Sequence, residues 1–402
     1  MEIVVQKFGG TSVATNELRE KVVEIILKKK QDGFMPVVVV SAMGRKGEPY
    51  ATDTLINVAK ESYSDIEPRE LDLMMSCGEV ISCVVLANLL KQNGVKSVAL
   101  TGAQAGIITD DNFGNAEVQR VEIDKVLKYI KEDVVPIISG FQGVTESGDI
   151  TTLGRGGSDT TAVIIGGVLK AKYIEIYTDV DGIMTADPRL APQAKVIPNM
   201  SYHEVFQMAD QGAKVIHPKS VHLAMRANVP LIIKNTSSEC DGTYITNCQY
   251  GMSFLKDKEK IITGVAHIPN RTQVCISNSE LSDVDLFQLL ADNKISIDLI
   301  SIFEDRKVFT IDNHHVSKIE KLFKGIKVDY TIVSDCTKVS IIGDRMRGIP
   351  GVMAKMLKAF AKYDIKILQS ADSHTTISCL IKSGDTANAI SAVHDEFKLG
   401  DI

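Results

Sequence analysis

The chain has 402 residues, of which 44% are hydrophobic and 24% are charged, and its formal net charge is −6. This length and composition predict a globular protein of two or three domains, each with its own core. The acidic balance argues against a nucleic-acid partner or an anionic membrane surface, because both select a basic field.

The cysteine pattern indicates the redox environment. Seven cysteines and eight histidines are present, with no CxxC pair and no spacing typical of a metal site. We therefore expect reduced thiols and predict neither a disulfide framework nor a metal centre. No apolar run approaches the length of about 18 residues that a membrane span needs. These features favour a cytoplasmic protein.

Short apolar, β-branched runs recur through the first 235 residues, each bounded by glycine or proline. They cover residues 3–8, 37–42, 96–101, 134–140, 173–178 and 229–234. Runs without polar alternation fit strands buried on both faces, and hence a mainly parallel sheet. Helical patterns lie between them at residues 17–30, 69–91 and 159–170. The predicted fold class is α/β, a mainly parallel sheet sandwiched by helices.

The last helical pattern opens behind two polar residues, Ser158 and Asp159. Both residue types cap free amide groups at helix starts. We therefore predict that they cap this helix.

The C-terminal part of the chain repeats itself. An offset of 70 residues superposes apolar positions of one helix-strand unit on another. The pairs are Phe287 and Leu357, Leu290 and Phe360, Ala291 and Ala361, Ile295 and Ile365, and Ile297 and Ile367. This pattern predicts two small α+β modules of ferredoxin-like type. We place the first domain at residues 1–240, a linker at 241–260, and the modules at 261–335 and 336–402.

Residues 7–12, Lys-Phe-Gly-Gly-Thr-Ser, form the first segment with chemical character. They follow a strand pattern, so the glycines let the backbone approach an anion while Lys7 brings a positive charge. A tight turn with a surface lysine explains these residues equally well. No Walker A or GxGxxG pattern occurs in the chain.

Residues 151–159, Thr-Thr-Leu-Gly-Arg-Gly-Gly-Ser-Asp, are more specific. Arg155 offers a planar fork suited to a carboxylate, and the glycines present amides at a helix start. A purely structural loop rarely needs an arginine flanked by glycines.

Three further candidates are weaker when each is taken alone. Residues 178–189 leave a buried strand and contain Asp179 and Arg189, although a solvated turn is the plain alternative. Glu79 lies among apolar helix neighbours, so it needs a cationic partner, either a bound ammonium or an internal side chain. Lys214 is one more candidate cation.

Taken in order, six segments closely resemble the aspartate kinase family. They are KFGGTSV at 7–13, VVSAMG at 39–44, GE at 78–79, TLGRGGSD at 152–159, TDVDGIMTADPR at 178–189 and GAKVIHP at 212–218. The resemblance spans the whole chain, and the repeated modules look like the paired ACT domains of that family. It implies an amino-acid-kinase fold for the first domain. One position departs from the family, which usually has an aromatic residue where Met184 stands.

The resemblance also implies roles for matching residues. Lys7 would contact the transferred phosphoryl group and form the catalytic set with Arg155 and Asp159. The positions that match aspartate contacts are Ser41, Thr52, Glu79, Phe141, Arg155 and Ser158. The positions that match ATP contacts are Lys7, Gly9, Gly10, Thr11, Thr178, Asp179, Arg189 and Lys214. ATP would carry Mg²⁺.

The implied activity is phosphorylation of the aspartate side chain, the first step toward lysine, threonine and methionine. Family effector contacts match Asp298 and, more weakly, Ser279 and Glu304. The implied effector is lysine, with threonine as a second candidate, and the implied assembly is a homodimer or larger. Two alternatives stay open at this point. One is a kinase of the same fold acting on glutamate, acetylglutamate, carbamate or a nucleoside monophosphate; the other is a catalytically silent amino-acid sensor.

Overall fold

The computed structural model describes residues 1–213, 215–247, 261–344, 346 and 348–401. These residues form two compact units. The first unit takes residues 1–183 and 196–209 and the described residues from 215 to 247. The second takes residues 184–195 and 210–213 and the described residues from 261 onward.

The strands of the first unit form two sheets. They are β1 Glu2–Phe8, β2 Phe34–Val40, β3 Ser97–Leu100, β4 Ile107–Thr109, β5 Val118–Val121, β6 Val135–Ser139, β7 Gln142–Val144, β8 Ile150–Thr152, β9 Ile174–Thr178, β10 Asn199–Ser201, β11 Leu231–Asn235 and β12 Thr243–Thr246. The main sheet has the order β10-β12-β11-β9-β1-β2-β6-β3 and the small sheet the order β5-β4-β7-β8. All neighbours in the main sheet are parallel except β11 and β12. All six predicted strands lie in this sheet, which confirms the predicted fold class.

Helices cover both faces of the main sheet. They are α1 Asn16–Gln31, α2 Thr52–Ser62, α3 Pro68–Gln92, α4 Asp124–Lys131, α5 Gly157–Val168, α6 Tyr202–Asp210 and α7 Pro218–Ala227. Val22 of α1 and Leu86 of α3 share a core with Phe8 of β1. Helix α5 lies on the other face. Side chains alternate between the two faces along a strand, so Val5 of β1 points away from the face that Phe8 occupies, and a Cβ at Gly166 of α5 would stand 3.6 Å from Val5.

In the described part of the chain, α3 alone is long and apolar enough to span a membrane by length and composition. The mean hydropathy of its most apolar 18-residue window is 1.9, and half of that window is buried in the fold. The helix also carries two buried carboxylates, Asp72 and Glu79. Its apolar character is that of a core helix packed on a sheet.

The described residues of the second unit form one antiparallel sheet covered by helices. The strands are β13 Gly264–Ser279, β14 Ile297–Ile302, β15 Lys307–Asp312, β16 Val328–Ile342, β17 Gln369–Asp372 and β18 Thr376–Lys382, in the order β14-β15-β13-β16-β18-β17. The helices are α8 Asp283–Asp292, α9 Val316–Phe323, α10 Val352–Ala361 and α11 Thr386–Glu396.

Two separate cores divide the second unit into the repeated modules. The first-module core contains Val274, Leu290 and Phe309, and the second-module core contains Val339 and Phe360. Strands β13 and β16 run through both modules, since one half of each strand pairs in the first module and the other half in the second. The second-module core therefore also includes residues that fall within the predicted limits of the first module, among them Ile262 and Val265. The domain limits given above stay predictions, and residues 248–260 of the predicted linker lie outside the described residues.

Two excursions of the chain join the second unit. Ala186 and Ala191, from residues 184–195, lie in the second-module core. The Thr185 hydroxyl lies 2.9 Å from Nε2 of the buried His394 on α11. In the second excursion, Gln211 accepts a hydrogen bond from the Ser340 hydroxyl. Thr185, Ala186 and Ala191 are therefore part of the packed interior of this unit.

Candidate active site

The Lys7 segment forms a sharp turn at the carboxyl end of the central strand β1. The Gly9 amide donates to the Tyr177 carbonyl of β9 (3.1 Å), and a short 3-10 turn follows at Gly10–Val13. A Cβ at Gly10 would stand 2.5 Å from the Ala42 carbonyl oxygen, so only glycine fits there. The carboxyl ends of parallel strands are where α/β sheets bind ligands.

Lys7 meets Asp159 across this turn. The Lys7 Nζ lies 2.7 Å from the Asp159 carboxylate, and the two side chains are 11% and 12% exposed. An ion pair shielded from water to this degree is screened weakly by salt. Asp159 therefore holds the ammonium at the end of β1.

Arg155 stands on the loop between β8 and α5. Its side chain is exposed and makes no hydrogen bond or ion pair with the described residues, so the guanidinium is available to a ligand. Gly156 takes the helix N-cap position with φ of 71°, a left-handed conformation that favours glycine. The predicted capping by Ser158 and Asp159 is wrong, because both lie inside α5 and Asp159 pairs with Lys7 instead.

Glu79 presents a buried carboxylate from α3. Its Oε1 accepts a hydrogen bond from the Ala42 amide (3.1 Å), while Oε2 has no partner among the described residues. Burial raises the pKa of Glu79 from 4.5 to about 8, against a smaller lowering by hydrogen bonds from backbone amides. A cationic group arriving from the cleft would satisfy the free oxygen.

One open cleft of about 300 Å³ gathers these groups. Its lining includes every residue predicted as catalytic and every residue predicted to contact aspartate. The lining consists of Lys7, Gly10, Ser41, Ala42, Gly44, Thr52, Glu79, Phe141, Gly154, Arg155, Gly156, Gly157, Ser158 and Asp159. Two hydrogen bonds fix the backbone of Phe141, since its amide donates to the Thr161 hydroxyl and its carbonyl accepts from the Leu153 amide. The cleft offers a cation at its end, a guanidinium on a loop and a buried carboxylate, a set suited to an amino acid and an anion.

The predicted nucleotide contacts are spread more widely. Gly10 lines the cleft, Gly9 and Thr11 belong to the same turn, and Thr178 ends the adjoining strand β9. Asp179 follows that strand and pairs with Arg45, which comes from the loop after β2. Arg189 lies in the second unit, 86% exposed and paired with Asp187 (2.7 Å). Lys214 lies outside the described residues.

The predicted effector contacts belong to the first module. Asp298 on β14 pairs with the buried Lys338 of β16 and accepts the Leu299 amide. Ser279 ends β13 and accepts the Leu281 amide, and Glu304 is exposed in the turn after β14. An effector that uses the Asp298 carboxylate would therefore share it with Lys338.

Two residues beside the cleft were not predicted. Arg45 contacts Asp179, and its glycine-flanked position, between Gly44 and Gly47, is the signal that singled out Arg155. Asp72 is fully buried on α3, two turns before Glu79, and its apolar neighbours are the signal that singled out Glu79.

Comparisons with known proteins match this chain to two domain families. A model of the amino acid kinase family matches residues 2–235, and an ACT domain model matches residues 331–395. Aspartokinase 1 of Bacillus subtilis (strain 168) is 42% identical over 402 residues, covering 99% of this chain and all of that protein.

Solved structures extend the likeness to the fold. E. coli aspartokinase III in complex with aspartate and ADP, in its R-state, superposes with a TM-score of 0.78 at 25% identity, covering 98% of this chain and 99% of that one. The same enzyme in complex with lysine and aspartate, in its T-state, gives a TM-score of 0.76 at 24% identity, covering 99% and 100%, and shows the fold alone. With a relative 42% identical over almost its full length, this chain belongs to the aspartokinase family.

Proposed function

We propose that this kinase transfers the terminal phosphoryl group of ATP to the side-chain carboxylate of L-aspartate, forming 4-phospho-L-aspartate. The observation that carries the proposal is the single cleft in which Lys7, Arg155 and Glu79 converge. E. coli aspartokinase III, of the same fold, binds aspartate and ADP together. The product is the activated acid from which lysine, threonine and methionine synthesis starts.

The amino acid is held by the ammonium and the carboxylate on its α-carbon. The free Oε2 of Glu79 receives the substrate ammonium, and the unpaired guanidinium of Arg155 receives a carboxylate in a bidentate pair. Ser41, Thr52, Phe141 and Ser158 line the space around it. A substrate fixed in this way directs its remaining carboxylate to the end of the cleft.

The transfer step needs no general base. A carboxylate with an intrinsic pKa of about 4 is ionised at neutral pH and attacks directly. The requirement is to place two anions in line and to stabilise the charge on the transferring oxygens. The Lys7 ammonium and the Gly10 amide supply positive charge there, with Asp159 holding Lys7 in position, while Gly9 shapes the turn because its amide is bonded to the Tyr177 carbonyl.

ATP occupies the neighbouring strand end in this proposal. Thr11, Thr178, Asp179, Arg189 and Lys214 are its proposed contacts, on the family resemblance. The described residues contain no group of three or more His, Cys, Asp or Glu side chains that could hold a metal ion. We therefore propose that Mg²⁺ enters on the ATP phosphates, where it keeps several waters.

The activity assay is direct. ADP formation should depend on both L-aspartate and Mg²⁺, and hydroxylamine should trap the acyl phosphate as a hydroxamate. Glutamate, acetylglutamate, carbamate and nucleoside monophosphates serve as competing acceptors. ADP formation that ignores aspartate, or that prefers one of the other acceptors, would refute the proposed substrate.

Regulation by an end product is the second part of the proposal. The support is the pair of modules, with Asp298 as an ammonium contact and lysine as the first candidate effector, followed by threonine. In the T-state structure, E. coli aspartokinase III holds lysine. Inhibition curves with each amino acid alone and combined test this assignment. Pairing of modules between chains predicts a homodimer or larger, and a monomeric mass by light scattering would contradict it.

A further inference from the structure

Asp72 is a carboxylate sealed inside the first unit. It lies on α3 and has no exposed surface. Three donors converge on it, since its Oδ2 accepts the amides of Gly114 (2.9 Å) and Thr152 (2.8 Å) and its Oδ1 accepts the Thr152 hydroxyl (2.7 Å). No lysine or arginine in the described residues pairs with it. Charge-assisted hydrogen bonds to neutral donors therefore hold it, and such bonds are short and strong.

Each of these donors leads to the Arg155 loop. Thr152 is the last residue of β8, three residues before Arg155. The turn at Gly114 and Asn115 supports the same loop from the side, because a Cβ at Gly154 would stand 2.5 Å from the Asn115 Oδ1. Asp72 thus fixes the strand that enters the loop and the turn that braces it.

The helix of Asp72 also carries Glu79. Seven residues separate them, which places both on one face of the helix about 10 Å apart. In the proposed function Glu79 receives the substrate ammonium and Arg155 the neighbouring α-carboxylate, while the side-chain carboxylate points toward Lys7. The three hydrogen bonds of Asp72 therefore connect the element that bears the ammonium contact to the loop that bears the carboxylate contact.

We infer that Asp72 is a positioning residue that holds Glu79 and Arg155 in their relative positions, and thereby sets how far the side-chain carboxylate of the bound amino acid reaches toward Lys7. This inference rests on the proposed function. With the ammonium and the α-carboxylate fixed, this reach depends on the length of the side chain, and one extra methylene, as in glutamate, moves the side-chain carboxylate by more than about 1 Å. When the Asp72 hydrogen bonds hold α3 and the Arg155 loop rigidly together, the cleft selects the shorter substrate. When these bonds are weakened, aspartate binds less tightly and glutamate is accommodated.

The test is Asp72→Asn in the full chain. An asparagine keeps the volume but replaces one acceptor oxygen by an NH₂ group that faces a donor. We expect the aspartate KM to rise at least tenfold while the ATP KM stays within twofold. We also expect the ratio of the glutamate inhibition constant to the aspartate KM to fall at least tenfold. The matched control is Asp149→Asn, the same chemical change just before β8, where the carboxylate pairs with Arg69 and is partly exposed. Its KM values should stay within twofold of wild type.

A graded pair covers the case in which Asp72→Asn does not fold. Thr152→Val removes one donor and leaves both amides in place, so a threefold or larger rise in aspartate KM is expected. Thr152→Ser keeps the hydroxyl and should restore the wild-type value. The inference is overturned if the folded Asp72→Asn lowers only the melting temperature, with the aspartate KM and the glutamate ratio unchanged. If Asp72→Asn does not fold, an unchanged aspartate KM in Thr152→Val overturns it equally. A wild-type enzyme that fails to phosphorylate aspartate would instead reject the proposed function itself.

Discussion

The Glu79→Gln substitution separates what this carboxylate costs the fold from what it gives to binding. Glu79 is 2% exposed, with one oxygen bonded to the Ala42 amide and the other free of described partners. Burial raises its pKa from 4.5 to about 8. At pH 7 the side chain is therefore mostly protonated in the folded enzyme and ionised in the unfolded chain.

The sign and size of the stability effect follow from this difference. A folded-state pKa above the unfolded value favours the fold in acid, and the advantage is lost as the pH rises. The contribution of Glu79 to the free energy of unfolding should fall by about 1.4 kcal/mol per pH unit between pH 4.5 and 8, or about 5 kcal/mol in total. The glutamine side chain of the variant does not titrate. The difference in free energy of unfolding between Glu79→Gln and wild type should therefore shift by about 3 kcal/mol in favour of the variant between pH 4 and pH 7.

The binding effect runs in the opposite direction. A substrate ammonium needs the ionised carboxylate, so the wild-type KM for aspartate should fall about tenfold per pH unit from pH 6 and level off above 8. Glu79→Gln should show no such slope. Its KM at pH 8.5 should be about 10- to 100-fold above wild type, because a charge-assisted hydrogen bond of roughly 1.5–3 kcal/mol is lost.

Two measurements test the predicted pH dependence of the aspartate KM and of the stability difference. The first is ADP release at saturating ATP, with aspartate titrated at each half pH unit from 6 to 9. The second is urea unfolding of both proteins at pH 4, 7 and 8.5. Glu70→Gln, an exposed carboxylate on the same helix, is the control and should follow wild type in both. A wild-type KM that is flat between pH 6 and 8, or a pH-independent stability difference, would refute the reasoning.

Three further substitutions test the remaining assignments. Lys7→Ala removes the ammonium paired with Asp159, so kcat should fall about 10²- to 10³-fold with the circular dichroism spectrum retained, and a kcat within threefold of wild type contradicts the role. Arg155→Ala should raise the aspartate KM about 10- to 100-fold, since a carboxylate–guanidinium contact is lost, and an unchanged KM would move Arg155 out of the substrate site. Asp298→Asn should weaken lysine inhibition at unchanged kcat. It should also lower the melting temperature, because the buried Lys338 loses its charged partner. Undiminished inhibition counts against the effector assignment.

Six of the eight strands of the main sheet were predictable because they are apolar runs buried in the sheet, whereas β10 and β12, three and four residues long with exposed positions, were not predicted. The continuous apolar runs of the six differ from everything around them, and the match to the amino acid kinase family covers the same stretch. The small sheet was missed for the opposite reason. Strands such as Val118–Val121 and Ile150–Thr152 are three or four residues long and half polar, so no periodicity distinguishes them from loops.

Pairing between distant segments lies beyond what a local pattern contains. Strands β13 and β16 each serve two modules, and only the register of their halves shows it. Likewise Lys7 and Asp159 stand 152 positions apart, and their ion pair follows from the parallel order of β1, β2 and β9 with α5 packed on them. The residues of the cleft could be predicted from the sequence, whereas their proximity depends on the order of the strands in the sheet.

Environment also separated two residues that the sequence makes alike. Asp72 and Glu79 are acidic residues on one helix, each surrounded by apolar neighbours. Asp72 finds three donors, whereas Glu79 finds a single donor and keeps an oxygen free. The hydrogen-bonding capacity of Asp72 is therefore taken up within the fold, whereas Glu79 keeps an oxygen available to a ligand.

The segment at 178–189 shows why a continuous motif need not be a continuous site. Its first half, with Asp179, follows β9 in the first unit, whereas Thr185 and Ala186 are packed against the second module. Arg189 is bonded to Asp187 two residues away, so its charge is satisfied locally. Exposed ion pairs of this kind contribute little free energy, so the pairing with Asp187 does not argue against the proposed phosphate contact of Arg189. The backbone of this one segment therefore runs from the end of β9, beside a candidate nucleotide contact, into the buried core of the second module.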